Sequence, residues 1–389
     1  MRRVSFSVNN CLELLHCGAE YFPELIGACD KAEHEICLET YIFASDVTGE
    51  KVKDALIRAG RRGVNVRVIN DWHGTGPARS KELAEQFAAA GVHYHAFNPW
   101  FRHGISRTHR KMCTVDQKIA FVGGINMVDD MCDDDNPCVA LPEARWDFAI
   151  RIEGPLVETI HREITSQWER IEGRDLKGRW QSFRRIRRSR KPVPLATAST
   201  QAGLIVRDNL RNRRTILKTY LAMLGQARHC VLIANPYFAP GRKLRRALEE
   251  AARRGVDVTL LLGHGQYAMQ DMVTHAYYPR LLQAGVKIVE YRRTQLHAKV
   301  ALFDDTWATI GSSNCDGLSL FVNQEANVVV RDPQIARDLR RHLEQGIAQG
   351  VPVVRDEFAA VGWQRRFQCS AAFMLYAGIL RAITLGKYG

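Results

Sequence analysis

The sequence predicts an α/β protein made of two pseudo-symmetric domains, each a mixed sheet flanked by helices, with an active site at their interface. Two observations predict this fold: a strand–helix–strand pattern that occurs twice, and a short polar motif that closes each copy. The chain has 389 residues, of which 46% are hydrophobic, so each half is large enough to bury its own core.

The repeat opens with apolar runs at residues 36–43 and 231–238, which are typical of buried strands. A helical segment then ends at a glycine, Gly63 in the first copy and Gly255 in the second, and an apolar strand follows. The same helix–glycine–strand pattern recurs later in each copy. We therefore predict four segments: a first domain over 1–172, a basic linker over 173–203, a second domain over 204–350 and an apolar tail over 351–389.

The region between the copies is strongly basic. Residues 174–191 contain nine Lys or Arg against one acid, with Trp180 and Phe183 interleaved. One interpretation is a solvated charged surface. Another is a patch that binds anionic lipid headgroups or stacks its aromatic rings on bases. The formal net charge of the whole chain, +13, favours an anionic partner: nucleic acid, an anionic membrane surface or a phosphorylated substrate.

The tail contains a largely apolar run at residues 369–385, which is shorter than the ~20 residues a bilayer span requires. Two interpretations stay open, a helix that closes the core and a helix that lies in the membrane interface. The width of its apolar face favours membrane contact.

The polar motif has the form H-x-K-x-x-x-x-D, and a glycine- or serine-rich turn ending in asparagine follows each copy. The residues are His109, Lys111, Asp116 and Asn126 in the first copy, and His297, Lys299, Asp304 and Asn314 in the second.

This combination suits phosphoryl-ester exchange. An imidazole can attack phosphorus while a second protonates the departing alcohol, and ammonium and amide groups can bind the phosphate oxygens. One copy supplies a nucleophile, and two facing copies supply an acid as well, which explains the duplication. The two lysines provide the positive charge, so we expect no metal and no cofactor. Small residues are expected to let the backbone approach the anion: Gly123, Gly124, Gly311 and Ser312.

Four acids are candidates to support the imidazoles. Asp116 and Asp304 lie seven residues after their histidines, an odd separation that points them away and suits a role in the following turn. Asp147 and Glu325 each head an apolar strand and are better placed to hold an imidazole Nδ1. With the two asparagines, we expect them to line the substrate-binding part of the site.

These motifs resemble the phospholipase D superfamily, over residues 10–340, and within it the B-type bacterial cardiolipin synthases. A-type relatives begin with two transmembrane helices, which this chain lacks, so the resemblance implies peripheral attachment at the cytoplasmic face of the cell membrane. It further implies condensation of two phosphatidylglycerol molecules into cardiolipin and glycerol, with no nucleic-acid partner. By motif position it assigns catalysis to His109, Lys111, Asp116, His297, Lys299 and Asp304.

The sequence leaves open which histidine is the nucleophile. It also leaves two other activities open: hydrolysis by the same chemistry, as a phospholipase or metal-independent nuclease, and binding without catalysis. Two assays discriminate between these activities: analysis of the lipid products formed from phosphatidylglycerol, and cleavage of DNA or RNA in the presence of EDTA.

Overall fold

The computed structural model describes residues 4–102, 104–133, 139–173, 200–359 and 362–384. Its first half is one seven-stranded sheet with helices. The strands are β1 (Cys11–His16), β2 (Glu35–Thr40), β3 (Asn65–Asp71), β4 (His93–Phe97), β5 (Met112–Val115), β6 (Ile119–Gly123) and β7 (Phe148–Glu153). The helices are α1 (Cys17–Lys31), α2 (Val47–Arg61), α3 (Trp72–Thr75), α4 (Pro77–Ala88) and α5 (Leu156–Ile171), with a 3₁₀ turn at Pro99–Phe101.

The second half is an eight-stranded sheet with its own helices. The strands are β8 (Gln201–Arg207), β9 (Cys230–Asn235), β10 (Asp257–Gly263), β11 (Lys287–Tyr291), β12 (Val300–Phe303), β13 (Trp307–Gly311), β14 (Glu325–Arg331) and β15 (Val351–Pro352). The helices are α6 (Thr215–Gln226), α7 (Arg242–Arg253), α8 (Ala268–His275), α9 (Tyr278–Gln283), α10 (Gly317–Phe321), α11 (Pro333–Gln349), α12 (Arg355–Ala359) and α13 (Trp363–Ile383).

The two sheets share one topology. The first has the order β1-β7-β6-β5-β2-β3-β4, and the second has β8-β14-β13-β12-β9-β10-β11, extended by β15. In each, three neighbouring strands are parallel, β2-β3-β4 and β9-β10-β11, and the remaining pairs are antiparallel. The predicted mixed sheets and internal duplication are therefore confirmed.

The helix–glycine–strand connections form as the sequence predicts. Asp46 caps α2 by accepting a hydrogen bond from Gly49 N at 2.7 Å. The same helix ends before Gly63, and α7 ends before Gly255; both glycines have φ of +89°, a backbone conformation that side chains disfavour. The strand that follows each glycine is thereby turned back onto the sheet.

A shared apolar core joins the halves and fixes where the motifs meet. Trp146 and Phe148 of the first half are buried in the same cluster as Leu296 and Val300 of the second. Helices α5 and α11 contribute further apolar side chains to this cluster, and each half keeps a separate outer core. Because the shared core lies beside both motifs, burial of apolar area holds the two motif segments against each other.

The boundaries of the expected linker need one correction. Strand β8 begins at Gln201 and pairs with β14, so the last residues of the segment 173–203 belong to the second sheet. Ser7, near the N-terminus, also forms a β-bridge with Ala202. The basic run itself, residues 174–191, lies outside the described residues.

The apolar tail is mostly helical. Its first residues form β15, which pairs with β11 in the second sheet, and α13 follows. Helix α13 packs on α8, and the Tyr376 hydroxyl accepts a hydrogen bond from Gly317 N of α10 at 3.0 Å. Within the described parts of the chain, none of the helices combines the length and apolar character needed to cross a bilayer.

Candidate active site

The two motif segments pair across the halves. His109 N donates to Gln324 O at 2.9 Å, beside a parallel bridge between Thr108 and Gln324. His297 N donates to Trp146 O, also at 2.9 Å, in the matching place. His109 and Lys111 thus precede β5, and His297 and Lys299 precede β12. Their extended backbone is hydrogen-bonded to the opposite half, so neither half completes the arrangement alone.

Each imidazole is held by a carboxylate of the opposite half. His109 Nδ1 lies 3.1 Å from Glu325 Oε2, and His297 Nδ1 lies 2.6 Å from Asp147 Oδ2. The two acids are 0% and 2% exposed. A carboxylate that accepts from Nδ1 fixes the tautomer and leaves Nε2 to react. The sequence predicted Asp147 and Glu325 for this contact, and the structure adds that the pairs are crossed.

The small residues of the motif turns serve the neighbouring strand and its acid. A Cβ on Gly124 would lie 2.3 Å from Asp147 Oδ1, and one on Gly123 would lie 2.5 Å from Phe148 O. At the equivalent place, Ser312 Oγ donates to Glu325 Oε2 at 2.5 Å. Gly124 therefore makes room for the Asp147 carboxylate, Gly123 for the backbone of β7, and Ser312 binds the Glu325 carboxylate.

Both motif lysines are buried beside the imidazoles. Lys111 Nζ donates to His109 O at 2.9 Å, and Lys299 Nζ donates to His297 O. The Tyr41 ring lies edge-on to His109, with centroids 4.9 Å apart, and 5.1 Å from Lys111 Nζ. Each ammonium group thus contacts the main chain of its own motif and is buried, where its charge is weakly screened by water.

Electrostatics tie the groups into one centre. Burial lowers the pKa of His109, the Glu325 carboxylate opposes that shift, and the ammonium groups of Lys111 and Lys299 reinforce it. Burial raises the pKa of Asp147 to about 6, against the opposing charge of Lys299. Lysines from both halves therefore act on His109, which suits it to be neutral near pH 7.

The two asparagines differ in their contacts. Asn126 Oδ1 accepts a hydrogen bond from Ile42 N at 3.3 Å, which fixes the turn after β6 to the loop after β2. Asn314 is equally buried, but its Oδ1 has no hydrogen-bond partner. Only one of the predicted pair thus has its amide oxygen engaged by the protein.

The structure brings neither motif aspartate to this centre. Asp116 follows β5, on the far side of the strand from His109, and its carboxylate accepts from the backbone N–H groups of Glu33, His34 and Glu35. Asp304 accepts from three N–H groups in the same manner: Arg228, His229 and Cys230. Both carboxylates thus hold backbone segments, as strand parity suggested, and their catalytic assignment by motif position stays a prediction.

Tyr41 is a site residue that sequence reasoning missed. It follows β2 directly, at the carboxyl ends of the parallel strands, where side chains of open α/β sheets commonly meet ligands. That position was the available signal. Among the described residues, the two groupings with metal-ligand spacing, one with Cys37 and one with His264, contain none of the motif residues.

Known proteins match this chain over most of its length. A family model described as cardiolipin synthase, phospholipase D-like domain, matches residues 25–167 and 220–347. The chain is 38% identical over 354 residues to cardiolipin synthase B of Escherichia coli (strain K12), covering 89% of this chain and 82% of that protein. It is also 38% identical over 346 residues to cardiolipin synthase B of Salmonella typhimurium (strain LT2), covering 87% and 80%.

Solved structures show a similar fold. Phosphatidylserine synthase of Haemophilus influenzae Rd KW20 superposes with a TM-score of 0.70 at 14% identity, covering 96% of this chain and 93% of that one. Polyphosphate kinase of Porphyromonas gingivalis gives a TM-score of 0.55 at 15% identity, covering 86% of this chain and 50% of that one. At these identities the likeness concerns the fold alone.

Proposed function

The chain belongs to the cardiolipin synthase family of phospholipase D-like proteins, and from that premise we propose that it transfers a phosphatidyl group between two phosphatidylglycerol molecules, releasing glycerol. The observation that carries the proposal is the pair of crossed contacts, His109 to Glu325 and His297 to Asp147. They orient two imidazoles, one from each half, for opposite roles at a single phosphorus atom.

In the first half-reaction, His109 Nε2 attacks phosphorus, the bond from phosphorus to the glycerol oxygen breaks, and the His297 imidazolium donates its proton to that oxygen. His109 suits the nucleophilic role because burial lowers its pKa and keeps it neutral. His297 suits the acid role because the 2.6 Å contact with Asp147 stabilises an imidazolium.

In the second half-reaction, His297 takes the proton of the acceptor hydroxyl as that oxygen attacks phosphorus. The phosphorus–nitrogen bond to His109 breaks, and both rings return to their starting states. Lys111 and Lys299 supply positive charge to the phosphate oxygens in both steps, and the amides of Asn126 and Asn314 add hydrogen bonds. The centre is preorganised for this because its charged groups are buried and fixed.

We propose that the protein reaches its substrate at a membrane surface through α13. At about 100° per residue, Trp363, Phe367 and Met374 fall within ~40° of one another, and Leu375 and Ile379 extend this exposed apolar stripe to ~160°. The opposite side of the helix packs on the protein. The helix contains no acid, and Arg365, Arg366 and Arg381 near its ends suit anionic headgroups.

Vesicle binding tests this surface. Phe367, Leu375 and Ile379 are 65%, 56% and 50% exposed, so each retains roughly 1 kcal/mol of burial free energy for the interface. Replacing all three with Ser is expected to weaken binding to phosphatidylglycerol vesicles by about 100-fold. Val47→Ser, at a similarly exposed position on α2, is the matched control. Equal binding by the triple variant and the control would contradict the proposal.

The cytoplasmic face is the leaflet we propose. The described cysteines are free thiols, which suits a reducing compartment.

The activity test uses the full chain on phosphatidylglycerol vesicles in EDTA, with products followed by mass spectrometry. We expect cardiolipin and glycerol in equal amounts from the wild type, and a loss of several orders of magnitude from His109→Ala and from His297→Ala. Phosphatidic acid in place of cardiolipin would identify a hydrolase. Cleavage of DNA or RNA in EDTA, without lipid turnover, would identify a nuclease.

A further inference from the structure

A second cluster of chemically competent side chains, which includes none of the motif residues, is found in the second half. The ligand atoms of His264, His275 and Glu290 all lie within 4.8 Å of one another. His275 Nε2 is 2.9 Å from Glu290 Oε1, and His264 Nδ1 is 3.7 Å from the same oxygen. We call these three residues the histidine cluster. Its donor atoms converge on one carboxylate oxygen.

Rigid elements carry all three residues. His264 directly follows β10, and its N–H donates to Tyr291 O at 3.2 Å, which continues the pairing of β10 with β11. Glu290 lies on β11 itself, and His275 is the last residue of α8. The two imidazole rings are stacked with centroids 5.3 Å apart. A site carried by a strand, a strand end and a helix end holds its donors on or next to regular elements.

A fourth donor stands beside the cluster. Asp271 Oδ2 is 3.4 Å from His264 Nδ1, and Asp271 lies one helical turn before His275 on α8. The same oxygen accepts from Gly265 N at 2.9 Å, which fixes the loop that carries His264. Asp271 is thus held at the edge of the histidine cluster, next to one of its imidazoles.

The donor set is that of a borderline transition metal. Two imidazoles and one carboxylate commonly bind Zn²⁺, at about 2.0–2.2 Å from each atom, so tetrahedral donor–donor edges are about 3.4 Å. The separations of 2.9 and 3.7 Å lie on either side of that value. Burial raises the pKa of Glu290, but hydrogen bonds from His275 and Arg292 lower it to about 2, so the carboxylate is ionised. Arg292 contacts the other oxygen, Oε2.

The first half shows that the fold does not require this cluster. The glycine that precedes each strand gives the register of the repeat: Gly63 matches Gly255, and Gly91 matches Gly285. In that register, Trp72 occupies the place of His264 and Ala96 the place of Glu290. The first half therefore builds the same sheet edge without these ligands, so their presence in the second half points to a role other than folding.

From this geometry we propose that His264, His275 and Glu290 form a binding site for a divalent transition-metal cation of the zinc class, with Asp271 beside it. A bound ion would fasten the end of α8 to the edge of the sheet. Because α13 packs on α8, the same ion would stiffen the support of the membrane-facing helix. The site shares no residue with the phosphatidyl-transfer centre.

Cobalt substitution tests the proposal on the full chain. Co²⁺ in a tetrahedral site gives strong visible absorption, and Zn²⁺ competes for the same ligands. We expect one saturable Co²⁺ per chain that Zn²⁺ displaces, weakening as pH falls because the imidazoles must be unprotonated. We also expect Zn²⁺ at about 100-fold over its Kd to raise the Tm by several degrees.

Two variants separate a metal site from a hydrogen-bond network. His275→Gln keeps a side-chain N–H for Glu290, and Glu290→Gln keeps an acceptor oxygen, so both preserve hydrogen bonding while weakening metal binding. Each is expected to lower Co²⁺ affinity at least 100-fold and to abolish the Zn²⁺ shift in Tm, whereas His93→Ala, an exposed histidine of β4, changes neither.

Absence of saturable Co²⁺ absorption in the wild type would overturn the proposal, and so would unchanged affinity in both variants. Neither outcome bears on phosphatidyl transfer, because the cobalt and melting readouts do not require lipid or turnover. Loss of cardiolipin synthesis with intact cobalt binding would refute the proposed function alone.

Discussion

Asp147→Asn probes the crossed acid–imidazole pair at its tighter contact. Asn has nearly the same shape as Asp and can still accept the hydrogen bond that Phe148 N donates to Oδ1 at 2.7 Å. The substitution removes the carboxylate charge that lies 2.6 Å from His297 Nδ1 in the wild type, on a residue that is only 2% exposed. Losing one partner of a buried ion pair costs about 3–5 kcal/mol.

Because the His297 imidazolium is the proposed acid, that cost falls on the chemical step. It corresponds to a rate loss of about 10²- to 10⁴-fold. The assay is the initial rate of cardiolipin formation on vesicles, divided by the folded fraction from circular dichroism. Asp304→Asn, in the same motif as His297, is the control and is expected to retain most activity per folded molecule. A rate for Asp147→Asn within about fivefold of the wild type would show that the Asp147 charge does not stabilise the His297 imidazolium.

Three further predictions concern neighbouring features. Asp116→Asn is expected to lower the free energy of unfolding by about 1–2 kcal/mol, because its carboxylate accepts three backbone N–H groups, and chemical denaturation measures this. Burial alone would raise the pKa of Asp116, but those hydrogen bonds lower it below 3.8. The stabilisation by Asp116 is therefore fully present above pH 3.8 and is lost as pH falls through the lowered pKa. Unfolding that is equally acid-sensitive in the variant would contradict this. Gly124→Ala should displace Asp147 and reduce the rate of cardiolipin formation at least tenfold, whereas Gly27→Ala in α1, where an added Cβ meets nothing within 4 Å, should not; equal rates would contradict the packing argument. The value of kcat/KM should fall as pH drops through about 6, because Asp147 gains its proton there, whereas the lowered pKa of His109 keeps that ring neutral. A decrease in kcat/KM that begins only near pH 4 would contradict this prediction.

The repeat and its mixed sheets could be predicted from the sequence because apolar periodicity and helix-ending glycines are local signals. Gly63 and Gly255 mark the same turn in both copies, and both adopt the positive φ that the pattern implies. The two histidines and two lysines were identified for a similar reason, since the motif is contiguous in the chain.

The crossed pairing could not be predicted, because no local sequence feature indicates that Glu325 contacts His109 or that Asp147 contacts His297. Those contacts join residues 216 and 150 positions apart. The resemblance places Asp116 in the motif, but its carboxylate binds backbone N–H groups beyond the end of β5, away from the imidazole. The odd separation of Asp116 from His109 had already indicated that its side chain points away from the imidazole.

Phosphatidyl transfer by this mechanism requires His109 and His297 to act on one phosphorus atom, and trapping the covalent intermediate tests that most directly. The wild type, mixed with phosphatidylglycerol and quenched in base within one turnover, is digested and analysed by mass spectrometry beside His109→Ala and His297→Ala. We expect a phosphatidyl group on the peptide that contains His109, and none from His109→Ala. An adduct on another residue, or turnover that survives in both variants, would contradict the account.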